Sequence, residues 1–275
     1  MSSTFENKVS VVIPVKDRMA SVVVAIKSVL AQRYKNIEII VVENNSNNPE
    51  EIRCGVQKIN DNRLNFYSLT ICENANYARN FGVSKATGAY IAFLDSDDFW
   101  RADHVDNCLS LIDKENSELV YGSAVINNGI DNTVRTSHAF LGEAVDYLVG
   151  EVNGFAPTPS FFMKREVFER VLWDETLHRH QDYDFFIRCS FVFKFSVNKN
   201  PDITINWNTG ELRRFHGQSV LDFYFKWRSR MLFNTERRYL KGMMKLSVSH
   251  LKYRLAVNFF LLYAFSFIRR AFFKI

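Results

Sequence analysis

Residues 90–100 read YIAFLDSDDFW, a short apolar run of the kind a buried parallel strand makes, followed by three carboxylates in four positions, Asp95, Asp97 and Asp98. Carboxylates crowded at a strand end repel one another, which disfavours full ionisation unless a cation offsets it. The cluster therefore suits one end of a divalent-ion site. Ser96, between Asp95 and Asp97, would let both carboxylates aim at one ion. Acidic residues can also open a helix, whose N-terminal dipole they stabilise, and Asp98 is expected to take that role.

Other side chains with chemical capacity are scattered. Asp182 lies in His178-Arg179-His180-Gln181-Asp182-Tyr183-Asp184, ahead of an apolar, aromatic stretch at 185–195. Two roles are open to it, N-cap of the helix that follows or general base near the acidic rim. His216 closes the run LRRFH at 212–216 and is either a metal ligand or, as lone histidines more often are, structural. Arg79, in Asn76-Tyr77-Ala78-Arg79-Asn80, is placed to reach a phosphate or to sit on the surface. Neither common glycine-rich phosphate cradle is present, so a nucleotide would be held by metal and arginine instead.

These groups need a scaffold. Apolar β-branched runs predict strands over 8–14, 37–42, 64–68 and 90–94, and helical spacing predicts helices over 19–32, 50–58 and 77–85, the last stopping near Gly88. The alternation predicts an α/β layer with a mostly parallel central sheet flanked by helices. Ligands of such sheets bind beyond the carboxyl ends of the strands, which places 14–18, 43–46 and 95–98 on one rim. Further on, a helix over 102–116, a strand over 119–123, a polar loop over 126–137 and a helix over 164–171 are expected. The cluster Trp173-Asp174-Glu175 follows.

With 275 residues and 47% hydrophobic content, the chain can bury one large domain, or a domain plus an appendage, and is not disordered. Cys54, Cys72, Cys108 and Cys189 are far apart, which suggests neither a zinc knuckle nor a disulfide framework and fits a reducing cytosol. The first ten residues carry no secretory apolar stretch, so export is not expected. The net charge of +5 is uneven. From Lys241 onward there are seven Lys/Arg and no Asp/Glu, against 28 basic and 30 acidic residues before it. A basic tail suggests an anionic partner.

In that tail, 255–268 is a mostly apolar run of 14 residues interrupted by Asn258 and Ser266 and flanked by Lys252, Arg254, Arg269 and Arg270. A span takes roughly 20 apolar residues, so the run is too short to cross a bilayer. Dense aromatics beside basic residues suit a lipid interface, and attachment to a membrane surface through the tail is expected. Docking on the protein's own core or a partner is the alternative. Nucleic acid is not expected, since no binding module is recognisable.

Five stretches, in order and spacing, closely resemble glycosyltransferase family 2: VVIPVKDR at 11–18, SVLAQ at 28–32, EIIVVENNS at 38–46, ARNFG at 78–82 and FLDSDD at 93–98. The resemblance covers roughly residues 8–220. It implies a GT-A fold, a nucleotide-sugar donor and inversion of the anomeric centre. Residues 1–220 would form the transferase domain, nucleotide-binding over about 1–100 and acceptor-binding over about 101–220, with 221–275 a helical, basic-aromatic extension.

Carried over by position, Pro14, Val15 and Asp17 would lie against the nucleoside, with Arg18, Asn45 and Ser96 alongside. Glu43 would contact uracil and Arg79 the diphosphate. Asp95 would approach ribose and metal, Asp97 would ligate Mn2+ or Mg2+, and His216 would make a further metal or phosphate contact. Asp182 would be the base. Most relatives have Asp where Glu43 stands, and Gln181 departs from an Glu-Asp pair, whereas Asp182 is retained.

The leading expectation is an inverting transferase on the cytoplasmic face of the inner membrane. It would move a Glc, Gal or GlcNAc-type sugar from UDP to a hydroxyl of a lipid-linked or surface-polysaccharide acceptor. Glu43 and Gln181 motivate a second reading, a catalytically inactive nucleotide-sugar-binding or scaffold protein. A nucleotidyltransferase is a third, although it would need a glycine-rich N-terminal loop that this chain lacks.

Overall fold

The computed structural model describes residues 7–70, 74–207 and 215–273, with side chains to residue 268. Its elements in chain order are β1 (Val9–Val15), α1 (Met19–Leu30), β2 (Ile37–Asn44), α2 (Pro49–Gln57), β3 (Leu64–Leu69), α3 (Ala75–Lys85), β4 (Tyr90–Phe93), β5 (Phe99–Trp100) and α4 (His104–Glu115). Then come β6 (Leu119–Gly122), β7 (Ala124–Asn127), β8 (Asn132–Arg135), α5 (Ala144–Val149), β9 (Phe162–Lys164), α6 (Glu166–Arg170) and α7 (Gln181–Ser190). The last are β10 (Phe195–Asn198), β11 (Ile203–Asn206), α8 (Gly217–Trp227), α9 (Phe233–Ser249) and α10 (Tyr253–Phe273). The chain divides into two compact units. One comprises Met1–Ala139, Phe155–Glu175 and Arg188–Glu211; the other comprises Phe140–Gly154, Thr176–Ile187 and Leu212–Ile275.

The first unit carries a seven-stranded sheet in the order β10-β6-β9-β4-β1-β2-β3. All strand pairs in it are parallel except those of β9, which runs antiparallel to β4 and β6. Every residue of β1 and β2 is buried, as expected of central strands covered on both faces, which is why both read as unbroken β-branched runs. Val11, Ile13, Ile39 and Val41 meet Val22, Ile26 and Val29 of α1 in its main core. On α3, Gly82 lets the helix approach the sheet closely, because a Cβ there would lie 2.4 Å from Val12 Cγ1 and 3.2 Å from Val42 Cγ2.

A second sheet of four strands has the order β5-β11-β7-β8. It corrects two sequence expectations. The segment 126–137 is not a polar loop: β7 and β8 pair antiparallel there, Ala124 opposite Arg135, around a turn in which Asn128 Oδ1 accepts the backbone N–H groups of Ile130 and Asp131. Asp98 opens no helix either. It runs directly into β5, and α4 starts only at His104.

The second unit is helical. Phe185, Phe186, Phe223 and Leu240 are fully buried in it. Asp184 is also fully buried, and its carboxylate accepts from Trp227 Nε1 at 3.0 Å and pairs with Lys226 Nζ at 2.8 Å. Helices α9 and α10 pack on each other, and Arg237 of α9 lies 4.0 Å over the Phe267 ring of α10. Among the described residues no helix is long and apolar enough to cross a membrane.

Candidate active site

At the carboxyl ends of β1 and β2 two loops are tied to each other. The register sets Pro14 opposite Val42 and Val15 opposite Glu43. Beyond them, Asp17 and Asn45 adopt left-handed backbone (φ 55° and 51°), a conformation that Asp and Asn tolerate better than most residues. Asp17 N–H donates to Ser46 Oγ at 3.0 Å, and Asn47 N–H donates to Asp17 Oδ1 at 2.6 Å. Glu43 is fully buried. Its Oε1 accepts the Ser46 N–H at 2.6 Å and its Oε2 accepts the Ser68 hydroxyl, so the longer side chain anchors the β2 loop to the end of β3.

Past the end of β4 the residues alternate. Ser96 is buried (4% exposed), while the Asp95 and Asp97 side chains on either side are 32% and 27% exposed. Both carboxylates already have counter-charges. Arg79 Nη2 donates to Asp95 Oδ1 at 2.8 Å, and Arg18 Nη1 donates to Asp97 Oδ2 at 2.7 Å. Asp98 points inward and accepts the Asn206 N–H at 2.9 Å. Burial pushes its carboxyl up to about 9, with the Asp95 and Asp97 charges adding to the effect, which favours its protonated form. Of three crowded acids, two are ion-paired and the third is buried and shifted toward the neutral form, which eases the repulsion read from the sequence.

Arg79 is 3% exposed. Besides Asp95 it donates from Nη1 to Asn76 Oδ1 at 3.1 Å, and its guanidinium lies 4.8 Å from the Trp173 ring centroid. Sequence reasoning noted Trp173 without a role and passed over Asn76, Asn80, Ser68 and Asn206. Ser68, Asn80 and Asn206 make contacts 25 to 109 residues away in sequence, beyond any local pattern, whereas Asn76 meets Arg79 only three positions on.

Oxygen ligands from Asp95 and Asp97, both partly exposed, fit a hard divalent cation. Among the described residues no three His, Cys, Asp or Glu side chains gather as a metal cluster, so such an ion would draw its other ligands from phosphates and water.

Asp182 and His216 belong to the second unit. Helix α7 begins at Gln181, so Asp182 lies in its first turn and not at the N-cap position, and its Oδ1 accepts the N–H of Tyr183 at 3.0 Å. His180, just before the helix, has φ 60° and packs against Tyr183, Phe223 and Tyr239. Burial pushes its imidazole down to about 3, helped by the Arg179 charge. His216 precedes α8 and stacks on His178, ring centroids 4.9 Å apart. Arg213 and Arg214 lie outside the described residues.

This mostly parallel α/β sheet, with an acidic cluster beyond β4, has the GT-A architecture. The glycosyl transferase family 2 pattern matches residues 10–172. AmsB of Erwinia amylovora, an amylovoran biosynthesis glycosyltransferase, is 30% identical over 223 residues, covering 77% of this chain and 73% of its own. WfgD of Escherichia coli, a UDP-Glc:alpha-D-GlcNAc-diphosphoundecaprenol beta-1,3-glucosyltransferase, is 34% identical over 121 residues, 44% of this chain and 47% of its own.

Among solved structures, S. aureus TarS with UDP-GlcNAc superposes with TM-score 0.64 at 15% identity, covering 88% of this chain and 73% of that one. The mannosyltransferase PcManGT of Pyrobaculum calidifontis, with GDP-Man and Mn2+, gives 0.60 at 15%, covering 95% and 76%. At such identities the structures speak for the fold alone. The chain belongs to glycosyl transferase family 2 and is a glycosyltransferase.

Proposed function

We propose that the protein is an inverting hexosyltransferase that moves a sugar from a UDP-sugar to a hydroxyl of a lipid-linked or polysaccharide acceptor. The observation that carries the reading is the alternation at the end of β4, Asp95 and Asp97 outward on either side of buried Ser96, each carboxylate beside an arginine. The names of AmsB and WfgD support the acceptor class, and that of WfgD supports the UDP donor.

In this reading Pro14, Val15, Asp17 and Asn45 border the nucleoside, and Glu43 shapes the loop that faces it through Ser46. Arg18 and Arg79 balance negative charge near the diphosphate, Arg79 having guanidinium protons beyond the two it donates to Asn76 and Asp95. Asp97, with Asp95, would hold Mn2+ or Mg2+, which when bound offsets charge developing on the leaving diphosphate. His216 is assigned a metal or phosphate contact. Asp182 takes the proton from the acceptor hydroxyl, whose oxygen attacks the anomeric carbon opposite the leaving UDP. Residues 1–100 thus serve the nucleotide and 101–220 the acceptor.

The extension beyond residue 220 is proposed to bind the membrane surface on its cytoplasmic side. Tyr253, Val257, Phe260, Leu261, Phe265 and Ile268 are all exposed on α10 and share one face by their spacing of three and four. Incubation with UDP-sugars, Mn2+ and lipid-pyrophosphate-linked GlcNAc tests the activity. Transfer that requires Asp97 and Asp182 is expected; no transfer from any UDP-sugar overturns the donor class.

A further inference from the structure

Asn76 and Asn80 of α3, with Asn74 at its N-cap, hold the segment Trp173-Asp174-Glu175 by its backbone. Asn80 Oδ1 accepts the Trp173 N–H at 3.0 Å while Asn80 Nδ2 donates to the Trp173 carbonyl at 3.0 Å, so one amide side chain imitates a strand partner on both sides of a single residue. Asn80 Nδ2 also reaches Glu175 Oε1 at 2.7 Å. Asn76 Nδ2 donates to the Asp174 carbonyl at 2.7 Å, and Asn74 Nδ2 to that of Glu175. Three amides on a peptide segment 93 to 101 residues away define the position of the Trp173 backbone and leave it little freedom.

The Trp173 indole is 2% exposed and is packed edge-on against Phe93, ring centroids 5.3 Å apart, and stacked on Phe161 at 6.1 Å. Against it lies the Arg79 guanidinium, 4.8 Å from the ring centroid. A buried cation requires compensation. Arg79 obtains it from Asp95 on Nη2, from Asn76 on Nη1 and from the indole face, while its buried Nε has no hydrogen-bond partner among the described residues. Two in-plane hydrogen bonds fix the guanidinium within its plane. The aromatic face fixes the tilt of that plane, and with it the direction in which Nη2 holds Asp95 Oδ1.

We propose that Trp173, clamped by Asn80, is a positioning residue for Asp95, acting through Arg79. The proposal rests on the reading of Asp95 as part of the donor and metal site. Trp173 follows β9 and α6 and lies 78 positions beyond Asp95 in sequence, so the chain recruits a distant aromatic to aim the carboxylate that follows β4.

The test is calorimetric titration with Mn2+ plus UDP, run well below the Tm of each variant, on the wild type and on Asp95→Asn, Trp173→Leu, Trp173→Phe and Asn80→Ser. Asp95→Asn is expected to weaken Mn2+·UDP binding at least 10-fold. Trp173→Leu should weaken it about 5- to 10-fold, Trp173→Phe, which restores an aromatic face, should recover to within about 2-fold of wild type, and Asn80→Ser should fall between. In transfer assays the Trp173→Leu loss should appear mainly in KM for the donor. If Asp95→Asn loses binding while Trp173→Leu keeps wild-type affinity, the relay is overturned and the donor-site reading stands. If Asp95→Asn binds as wild type, both fall. Where Trp173→Leu does not fold, Asn80→Ser with wild-type affinity overturns the relay on its own.

Discussion

Arg18 and Asp97 lie 2.7 Å apart, Nη1 to Oδ2, so the carboxylate proposed to hold a metal ion already carries a cation from its own chain. Both side chains are partly exposed, and such a pair contributes about 0.2–1 kcal/mol. A metal ion must compete with that contact. Arg18→Ala is expected to leave Tm nearly unchanged and to tighten Mn2+ binding in the absence of nucleotide by up to about 5-fold, the same energy at about 1.4 kcal/mol per tenfold. Titration of Mn2+ into both proteins measures this, and unchanged or weaker binding in Arg18→Ala would contradict it.

Asp182 sits in the first turn of α7. As a general base it would contribute about 10²–10⁴-fold to the rate. Asp182→Asn keeps shape and removes basicity, so kcat for transfer should fall by that range while the Kd for UDP stays the same. Full activity in this variant removes Asp182 from the mechanism.

His180 is held neutral among Tyr183, Phe223 and Tyr239, with Tyr239 Oη 3.2 Å from its Nδ1 and the Arg179 charge nearby. Its folded-state pKa of about 3 lies below the ordinary 6.5, so between those values the unfolded chain binds more protons than the folded one. The contribution to stability is fully present above pH 6.5 and is lost progressively as pH falls toward 3. Asn tolerates the φ of 60° at this position. His180→Asn should therefore have a lower Tm at pH 8, from lost ring packing, but a flatter decline between pH 6.5 and 4. A parallel decline in both proteins would remove His180 as the cause.

A Cβ on Gly82 would lie 2.4 Å from Val12 Cγ1, a separation that forces movement, and tightly against Val42. Overpacking of this kind costs typically about 1–3 kcal/mol. Gly82→Ala should lower the denaturation midpoint accordingly, and because α3 also carries Arg79 and Asn80, nucleotide binding should weaken with it. A midpoint equal to wild type would mean that the helix backs away from the sheet at no cost.

How far the sequence could be read depended on whether the cause of each feature was local. β1, β2 and β4 were legible because burial on both faces forces continuous apolar runs, β3, a partly exposed edge strand, because Leu64, Phe66 and Tyr67 still mark it, and α1, α2 and α3 between them because their apolar spacing is helical. The β7–β8 hairpin was not, since β8 is an exposed edge strand, Asn132, Thr133, Val134 and Arg135, with no buried face to impose alternation. Nor was the antiparallel β9, three residues long. Asp98 looked like a helix opener because its true partner, the Asn206 N–H, comes 108 residues later. The acidic cluster was visible at once, whereas the Trp173 and Asn80 contacts behind Arg79 exist only once α3 and the segment 173–175 meet.

Helix α10 turns Ala256 and Phe259 inward and Val257, Phe260, Leu261 and Phe265 outward, so its apolar content exceeds what its own unit covers. The sequence from Lys241 onward has seven basic residues and no acidic one. An apolar face beside uncompensated positive charge matches an anionic lipid surface, where rings enter the interface and Lys or Arg meet headgroups. Each large apolar side chain contributes roughly 1.5–3 kcal/mol on full burial, and these two are about half exposed, so Leu261→Ser with Phe265→Ser should weaken binding to vesicles containing anionic lipid by roughly 10- to 100-fold. Because both side chains are exposed in the protein, Tm should hold. Wild-type binding should also fall when the anionic lipid is replaced by a neutral one. Unchanged vesicle binding in the double variant, combined with loss of self-association by light scattering, would instead assign this face to a second copy of the chain.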